Sequence, residues 1–288
     1  MVSAASPVLP VRVVDIDDPA DERVDDFREL NSVDRRPDLP VLPGGRVGKG
    51  LVIAEGVLVV ERMVASRFAP HAFLGVDRRL GELSSTLVVT DDPGAVPFFR
   101  ASAEVMADVV GFHLNRGVLG VARRPAELTP RQAVEDASVL AVLEGVNDHE
   151  NIGSIFRNAA GLGVDAVLFG TGCADPLYRR CVRVSMGHAL LVPFAKLPDW
   201  PGELDLLARE GFTTVSLTPD PAMPLLADAV ADAAKVAFLV GAEGPGLTAA
   251  AMRASHVRAR IPMSRGTDSL NVATAAAIAF YELARRRD

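Results

Sequence analysis

The sequence predicts an α/β fold divided into two domains. Short apolar runs, typical of buried strands, alternate along most of the chain with segments whose apolar residues recur at helical spacing. Residues 124–136, which carry Pro125 and Pro130, interrupt this alternation and are predicted to be a linker. A length of 288 residues suits two ordinary domains or one large one, and a hydrophobic content of 49% is enough for a packed core.

Residues 1–20 are predicted to form a flexible tail, because they contain three prolines and few large apolar side chains. Residues 21–123 predict a small α/β domain, in which strand and helix patterns alternate. Its predicted helices cover residues 21–30, 56–66 and 101–109, and its predicted strands begin at Leu51 and cover residues 73–76, 87–90 and 117–121.

Residues 137–288 are predicted to form the second domain. It opens with SVLAVLEGV, residues 138–146, an apolar strand with no charge before Glu144. Because strands and helices keep alternating, we expect a parallel sheet covered by helices on both faces. The further predicted strands cover residues 166–169, 190–194, 213–217 and 236–240, and the predicted helices cover residues 155–162, 178–186, 204–210, 247–254 and 270–283.

The last part of the chain, IPMSRGTDSLNVATAAAIAFYE, combines a loop with a helix. Residues 261–269 are polar, contain a glycine and lack any period, whereas the alanine-rich residues 270–283 fit helical spacing. Ser269 stands where its hydroxyl could cap the first free amides of the helix. A loop that enters the amino end of a helix suits an anion or a polar ligand, although a plain terminal amphipathic helix explains the same pattern.

Two further segments carry polar residues in a comparable setting. FLVGAEGPGL, residues 238–247, is a buried strand that runs into a glycine turn with one carboxylate, Glu243. NDHENIGSIFRNAAGLGVDAVLF, residues 147–169, comprises a loop rich in Asn and Gly, a helix that holds Arg157, and a strand. Each segment alone is a weak signal, because a single Gly-x-Glu-x-x-Gly occurs by chance.

Taken together and in this order, the three segments resemble the motifs of the SpoU (TrmH-type) RNA 2′-O-ribose methyltransferases, within the SPOUT superfamily. The first motif pairs Asn151 with Arg157, six residues on, and the second contains Gly241, Glu243 and Gly246. The third motif is carried by Ile261, Met263, Ser269, Leu270, Asn271, Tyr281 and Glu282.

The resemblance is close over residues 139–288, including DPLYRRCVRVSMGHALLVPF at residues 175–194, and looser over residues 22–122. It implies a C-terminal trefoil knot, an exception to the rule that chains do not thread loops. It implies that residues 21–123 are an RNA substrate-binding domain with a fold like that of a ribosomal RNA-binding protein. It also implies a homodimer formed through the C-terminal domain, with part of the contact from the terminal helix. The small side chains of that helix would permit close approach of a second helix and an aromatic ring could anchor it, although packing inside the subunit explains the same residues: Ala273, Ala275, Ala276, Ala277, Ala279 and Phe280.

The resemblance further implies a role for each site residue. S-adenosylmethionine is expected to contact the backbone of Gly241, Ile261 and Leu270, while Leu217 and Met263 line its pocket. Because no Gly-x-Gly-x-x-Gly follows the first strand, a Rossmann type of cofactor binding is not expected. The expected catalytic residues are Arg157, Asn151, Glu243, Ser269 and Asn271.

Arg157 is the residue on which the expected mechanism depends. By resemblance it activates the ribose 2′-OH, although a pKa above about 12 makes arginine a poor base. A milder alternative is that Arg157 holds an RNA phosphate, which helps to take the proton, and so positions the sugar. A surface ion pair is the structural alternative. Glu243 could orient Arg157 or Asn271, or accept hydrogen bonds from backbone amides. The alternative for Asn151, Ser269 and Asn271 is capping or turn formation.

The net charge of −7 argues against indiscriminate binding of nucleic acid but leaves room for local basic patches. Three groups of arginines could contact RNA, and a solvated surface is the alternative for each. These groups are Arg179, Arg180 and Arg183; Arg253, Arg258, Arg260 and Arg265; and Arg116, Arg123 and Arg124.

Several other classes of protein are disfavoured. Cys173 and Cys181 suit neither a disulfide framework nor a zinc site, so we expect reduced thiols, a cytoplasmic protein and no metal. The sequence contains no apolar run of about 18 residues and no signal-peptide pattern, so no membrane association is expected. No Walker-type loop is present, which disfavours nucleotide hydrolysis.

The function expected from the sequence is S-adenosylmethionine-dependent 2′-O-ribose methylation of ribosomal or transfer RNA. The alternative is a non-catalytic RNA-binding or ribosome-assembly protein on the same fold. A degenerate copy would be expected to lose Asn151, Arg157 or Ser269, and because the chain retains all three we favour the enzyme. A separate N-terminal domain suits a structured stem-loop, which tips the expected target towards ribosomal RNA.

Overall fold

The computed structural model describes residues 8–32, 35–264 and 266–287. The chain divides into two compact units, and the first of them is discontinuous in sequence. It comprises residues 1–126 and 177–191, whereas the second unit comprises residues 127–176 and 192–288.

Strands and helices alternate through both units. In chain order, those of the described residues are β1 (Leu9–Ile16), β2 (Val52–Glu55), α1 (Val57–Val64), β3 (Pro70–Gly75), α2 (Asp77–Glu82), β4 (Leu87–Val89), β5 (Val96–Ala101), α3 (Ala103–Val110), β6 (Val118–Ala122), α4 (Pro130–Val134), β7 (Val139–Glu144), α5 (His149–Gly161), β8 (Ala166–Phe169), α6 (Arg179–Val184), β9 (Phe194–Lys196), α7 (Leu204–Arg209), β10 (Thr213–Leu217), α8 (Leu226–Ala229), β11 (Val236–Gly241), α9 (Ala249–Ala254), β12 (Val257–Ala259) and α10 (Val272–Arg287). Short 3-10 turns occur at Glu22–Phe27, Pro43–Gly45 and His188–Leu190.

The first unit contains a mixed sheet in the order β2-β6-β3-β5-β1-β4. Strand β6 pairs antiparallel with β2 and β3, while the pairs among β1, β3, β4 and β5 are parallel. One face of the sheet packs on α3 and on the Glu22–Phe27 turn, which bury Phe27, Met106 and Val110. Helix α6, from the second segment of the unit, packs against β2.

The prediction of a flexible tail is wrong for Leu9–Ile16, which form β1. This strand lies between β4 and β5 in the sheet, and it buries Val11 and Ile16 completely or nearly so. The prolines led to the wrong prediction, whereas Pro10 stands near the start of the strand, where a missing N–H donor is tolerated. Residues 1–7 of the predicted tail lie outside the described residues.

The second unit contains a sheet in the order β12-β10-β11-β7-β8-β9, and every strand pair that the structure describes in it is parallel. The expected parallel sheet is therefore confirmed. Helices α4 and α7 contribute to a core on one side of the sheet, and α5 packs against α10, which also contacts β11 through Phe280 and Phe238.

Three segments near the predicted boundaries differ from expectation. The predicted linker contains α4, which begins with a capping box at Thr129 and buries Ala133 and Val134 in the core of the second unit. The strand expected at residues 190–194 is replaced by β9, which begins at Phe194. The terminal helix begins two residues later than expected, at Val272, and runs to Arg287.

Candidate active site

A cavity of about 470 Å³ lies in the second unit where β10 ends at Leu217 and β11 ends at Gly241. Crevices beyond the carboxyl ends of parallel strands are the usual ligand sites of α/β sheets. The glycine turn after β11 and the loop before α10 form the remaining walls. All five residues expected to hold a cofactor line this cavity, and so do three of the expected catalytic residues: Leu217, Gly241, Ile261, Met263 and Leu270, and Glu243, Ser269 and Asn271.

The glycine turn folds back closely on Gly241. A Cβ atom at this position would lie 2.2 Å from the backbone carbon of Gly246 and 2.2 Å from the backbone nitrogen of Leu247. The N–H of Gly246 donates to the carbonyl of Ala242 at 2.9 Å, and φ of Gly246 is +70°. Only glycine fits at position 241, because any side chain would collide with backbone rather than with a movable group.

A buried carboxylate supports this turn from behind. Glu144, at the end of β7, pairs with Gly241 in the sheet register and is 3% exposed. It accepts hydrogen bonds from the backbone N–H of Thr248 at 2.7 Å, from the Thr248 hydroxyl at 2.9 Å and from Nε1 of Trp200 at 2.5 Å. Glu144 thus fixes the end of the turn. The sequence marked it only as the first charge after an apolar strand, and it gave no sign that Thr248 and Trp200 would be its partners.

Three polar side chains, one from each motif, are hydrogen-bonded to one another, and two of them, Glu243 and Asn271, line the cavity. Oε1 of Glu243 accepts from Nδ2 of Asn151 at 3.0 Å and from Nδ2 of Asn271 at 2.9 Å. The same nitrogen of Asn271 lies 2.8 Å from Oδ1 of Asn151. Asn151, on α5, is 8% exposed, whereas Glu243 is exposed in its turn. Glu243 therefore joins the first motif to the third, and its partners are the two asparagines rather than Arg157.

Asn271 also begins the terminal helix. Its Oδ1 accepts from the backbone N–H groups of Ala273 and Thr274 at 2.9 and 3.1 Å, which is the geometry of an N-cap. The expectation that Ser269 caps this helix is wrong, because the helix begins two residues later than the sequence pattern indicated. Ser269 lies on the cavity wall, and its hydroxyl has no hydrogen-bond partner within the described part of the chain.

Arg157 lies outside this constellation. It is on the exposed face of α5, and it does not line the cavity of its own chain. Neighbouring Asn158 turns to the opposite side, where its Nδ2 donates to the carbonyl of Ala273 on α10 at 3.3 Å. Among residues 8–32, 35–264 and 266–287, the Arg157 guanidinium makes no hydrogen bond or ion pair. The alternative of a surface ion pair therefore finds no partner among the described residues.

The structure separates the candidate basic residues into different roles. Arg124 donates to the carbonyls of Gly50 and Asp38, and Arg260 donates to the carbonyl of Met223, so both hold backbone in place. Arg179 is 14% exposed and bonded to Glu55. Burial lowers the pKa of its guanidinium, while the Glu55 charge opposes that shift. Arg265 lies outside the described residues.

Both cysteines are free thiols, and burial raises the pKa of Cys173. The described residues contain no group of His, Cys, Asp or Glu side chains arranged to hold a metal ion. None of the helices in the described ranges has the length and apolar character needed to cross a bilayer.

Comparison with known proteins assigns the chain to a family. Residues 138–281 match the SpoU rRNA Methylase family. The chain is 64% identical over 275 residues to an uncharacterized tRNA/rRNA methyltransferase of Mycobacterium tuberculosis, with 95% of this chain and 92% of that protein covered. It is 25% identical to the 23S rRNA (guanosine(2553)-2′-O)-methyltransferase RlmP of Bacillus subtilis, with 80% and 87% covered.

Among solved structures, the fold is similar to that of the AdoMet-bound rRNA methyltransferase from Sinorhizobium meliloti. The TM-score is 0.73 at 22% identity, and the match covers 96% of this chain and 98% of that one. These matches confirm the family that the three motifs resemble. The chain belongs to the SpoU rRNA methylase family.

Proposed function

We propose that this protein is an S-adenosylmethionine-dependent 2′-O-ribose methyltransferase that acts on ribosomal or transfer RNA. The observation that carries the proposal is the cavity at the ends of β10 and β11. Residues of the second and third motifs line it, and Asn151 of the first motif is hydrogen-bonded to two of them, Glu243 and Asn271. The relatives are named as tRNA/rRNA or 23S rRNA methyltransferases, which supports RNA as the substrate, and the name of the relative from Bacillus subtilis specifies the 2′-O position.

The cavity suits S-adenosylmethionine in size and chemistry. Its volume of about 470 Å³ falls in the range of about 300–1,000 Å³ that small-molecule sites occupy. Leu217, Ile261 and Met263 supply apolar surface, and the turn after Gly241 brings bare backbone to the wall. We propose that the backbone of Gly241, Ile261 and Leu270 binds the cofactor.

When bound, S-adenosylmethionine supplies a methyl group that a weak nucleophile can attack. The ribose 2′-OH must then lose its proton, and the residues of this chain have to orient it. The Ser269 hydroxyl suits a contact with the acceptor, because no described residue occupies it. The amide of Asn271 already makes hydrogen bonds with Glu243, with Asn151 and with the first turn of α10. Its proposed role is therefore to position these groups.

Arg157 is proposed to hold the RNA phosphate next to the acceptor ribose. A guanidinium is a poor base but a strong bidentate partner for a phosphate, which helps to take the proton. Because Arg157 does not line the cavity of its own chain, we propose that it serves the cavity of a second subunit in a homodimer. The trefoil knot implied by the family resemblance is part of the same proposal.

The proposed dimer contact differs from the one expected from the alanines of α10. Ala273, Ala276, Ala279 and Phe280 are at most 5% exposed and pack within their own unit, and Phe280 lies against Phe238. The opposite face of α10 carries Ile278 and Tyr281, which are 36% and 57% exposed. We propose that this face contributes to the contact between subunits.

The test measures transfer of a radioactive methyl group from S-adenosylmethionine to unmodified 23S ribosomal RNA and to bulk transfer RNA. A 2′-O-methyl product resists alkaline hydrolysis of the adjacent phosphodiester, which separates it from a base methylation. Calorimetric titration with S-adenosylmethionine checks the cavity independently. Binding of RNA without cofactor binding or methyl transfer would favour the non-catalytic RNA-binding protein instead.

A further inference from the structure

Three arginines in the first unit surround one buried carboxylate. Glu55, at the end of β2, is 5% exposed, and its Oε2 accepts a hydrogen bond of 2.8 Å from Nη1 of Arg179. Nε of Arg116 and Nη1 of Arg183 lie 3.9 and 4.0 Å from Oε1 of the same carboxylate. One negative charge thus faces three positive charges.

Arg179 is committed to the fold. Its Nη2 donates to Oδ1 of Asn31 at 2.7 Å, its guanidinium lies over the ring of Phe112 at 5.1 Å, and its backbone N–H donates to Asp38 at 3.0 Å. The charge of Arg179 balances the charge of Glu55 in this buried, hydrogen-bonded pair. Removing either partner would leave an uncompensated charge in the interior. The positive charges of Arg116 and Arg183 are therefore largely uncompensated.

Arg116 and Arg183 have N–H donors available for a ligand. Their side chains are 39% and 41% exposed. Their distances from Glu55 exceed hydrogen-bond length, and within the part of the chain that the structure describes neither guanidinium makes a hydrogen bond. Nε of Arg116 and Nη1 of Arg183 lie 3.9 and 4.0 Å from the same oxygen atom, so these two nitrogen atoms are at most about 7.9 Å apart and their like charges repel each other. An anion placed between them would relieve this repulsion.

The backbone beside Arg116 fits the same arrangement. Gly56 has φ of +96°, and a Cβ on it would lie 3.0 Å from Cδ of Arg116, so the absence of a side chain gives the arginine its place. Gly56 precedes α1, and among the described residues no side chain caps that helix end. The positive end of the helix dipole therefore adds to the potential that the arginines create.

We propose that Arg116 and Arg183 bind a phosphodiester of the RNA substrate, with Glu55 and Arg179 holding them in position. The inference rests on the proposed function and extends it to a second contact with the RNA, made by the first unit. A phosphodiester offers two non-bridging oxygens, which two guanidiniums can share through charge-assisted hydrogen bonds. Free phosphate or sulfate has the same chemistry, so the experiment has to separate the two sources.

The experiment measures binding of in vitro transcribed 23S ribosomal RNA over a range of salt concentrations. For the double variant Arg116→Gln/Arg183→Gln we expect affinity to fall by roughly tenfold or more at 0.1 M salt. The slope of log affinity against log salt should become shallower by about 0.7–0.9, because one phosphate contact is lost. Cofactor affinity and thermal stability should stay unchanged. The double variant Arg116→Lys/Arg183→Lys keeps both charges and should recover most of the slope.

The matched control is Arg23→Gln/Arg78→Gln, which removes the same charge from two arginines of the same unit that pair with Asp21 and Glu82. A control with the same loss of affinity, or a test variant with none, would overturn the inference. Added sulfate at constant ionic strength should leave the difference between wild type and test variant in place. If sulfate abolished it, the site would belong to a free anion. Wild-type protein that binds RNA but transfers no methyl group would contradict the proposed function alone.

Discussion

At the scale of single residues, the site depends on Gly241 and Arg157 for opposite reasons. Gly241 has no room for a side chain, since the backbone of Gly246 and Leu247 occupies the space. Arg157 has no described partner in its own chain and contributes nothing visible to the fold. A substitution at Gly241 should therefore lower the stability of the fold, whereas a substitution at Arg157 should lower only the rate of methyl transfer.

Gly241→Ala should destabilise the second unit by about 3 kcal/mol, because the new methyl group would displace backbone rather than a flexible side chain. Cofactor binding should be lost with the shape of the turn. Thermal melting and calorimetric titration measure the two effects. The control is Gly161→Ala, because a Cβ at Gly161 at the end of α5 meets nothing within 4 Å. A Gly241→Ala variant as stable as this control would contradict the close approach of the turn.

Arg157→Ala should abolish methyl transfer and leave both cofactor affinity and melting temperature nearly unchanged. The expected loss is at least about a thousandfold, or about 4 kcal/mol of transition-state stabilisation, since the arginine is assigned to the acceptor. Single-turnover kinetics with saturating RNA measures it. Turnover within about tenfold of wild type would reject the assignment.

Site residues that belong to a sequence motif could be predicted, whereas those defined by tertiary partners or by burial could not. Gly241, Ile261 and Leu270 belong to the second and third motifs, and the family resemblance of those motifs was enough to predict that they line one cavity. The role of Glu144 was not predicted, because its partners Trp200 and Thr248 are far from it in sequence. Arg179 and Arg183 stood as one cluster, and only burial separates the structural arginine from the exposed one.

At the scale of elements, the start of α10 connects helix formation to the site. Asn271 caps the helix through Oδ1 and holds Glu243 and Asn151 through Nδ2. The alanine-rich pattern predicted the helix but placed its start at Leu270. Apolar periodicity says little about which polar residue accepts the first amides, and the loop offered both Ser269 and Asn271.

Asn271→Ala should cost about 1 kcal/mol for the lost cap and should lower methyl transfer as well, because Glu243 and Asn151 lose a partner. Asn271→Asp restores an acceptor for the cap but places a second carboxylate beside Glu243, so it should recover stability without activity. Ser269→Ala should lower activity with no change in melting temperature. Denaturant unfolding combined with methyl-transfer assays distinguishes the three variants, and an unstable Ser269→Ala would contradict the assigned cap.

At the scale of the whole molecule, the alternation of strands and helices predicted the parallel sheet of the second unit but missed β1 and the discontinuity of the first unit. Pairing between distant segments is fixed by tertiary contacts that a local pattern does not contain. Residues 177–191 follow β7 and β8 of the second unit in sequence, yet Arg179 binds Glu55 and Asn31 of the first unit.

If Arg157 serves the cavity of a second subunit, two inactive variants should complement each other. We pair Arg157→Ala with Leu217→Trp, which fills the cavity from a rigid strand end without the backbone clash of a change at Gly241. In a 1:1 mixture with free exchange, half the dimers are mixed and each has one intact site, so about one quarter of wild-type activity should return. No recovery despite proven subunit exchange would show that each site is complete within one chain.

The discontinuity of the first unit has a consequence for the order of events during synthesis. When residue 126 has been made, Glu55 and Asp38 still lack the Arg179 contacts that accompany their burial. About 50 further residues separate the two segments, which at about 5–20 residues per second is a delay of roughly 3–10 s. The nascent N-terminal segment therefore waits, incomplete, while the first strands of the second unit are translated. A ribosome that stalls between residues 127 and 176 would carry a chain whose first unit lacks residues 177–191 and therefore cannot complete its fold.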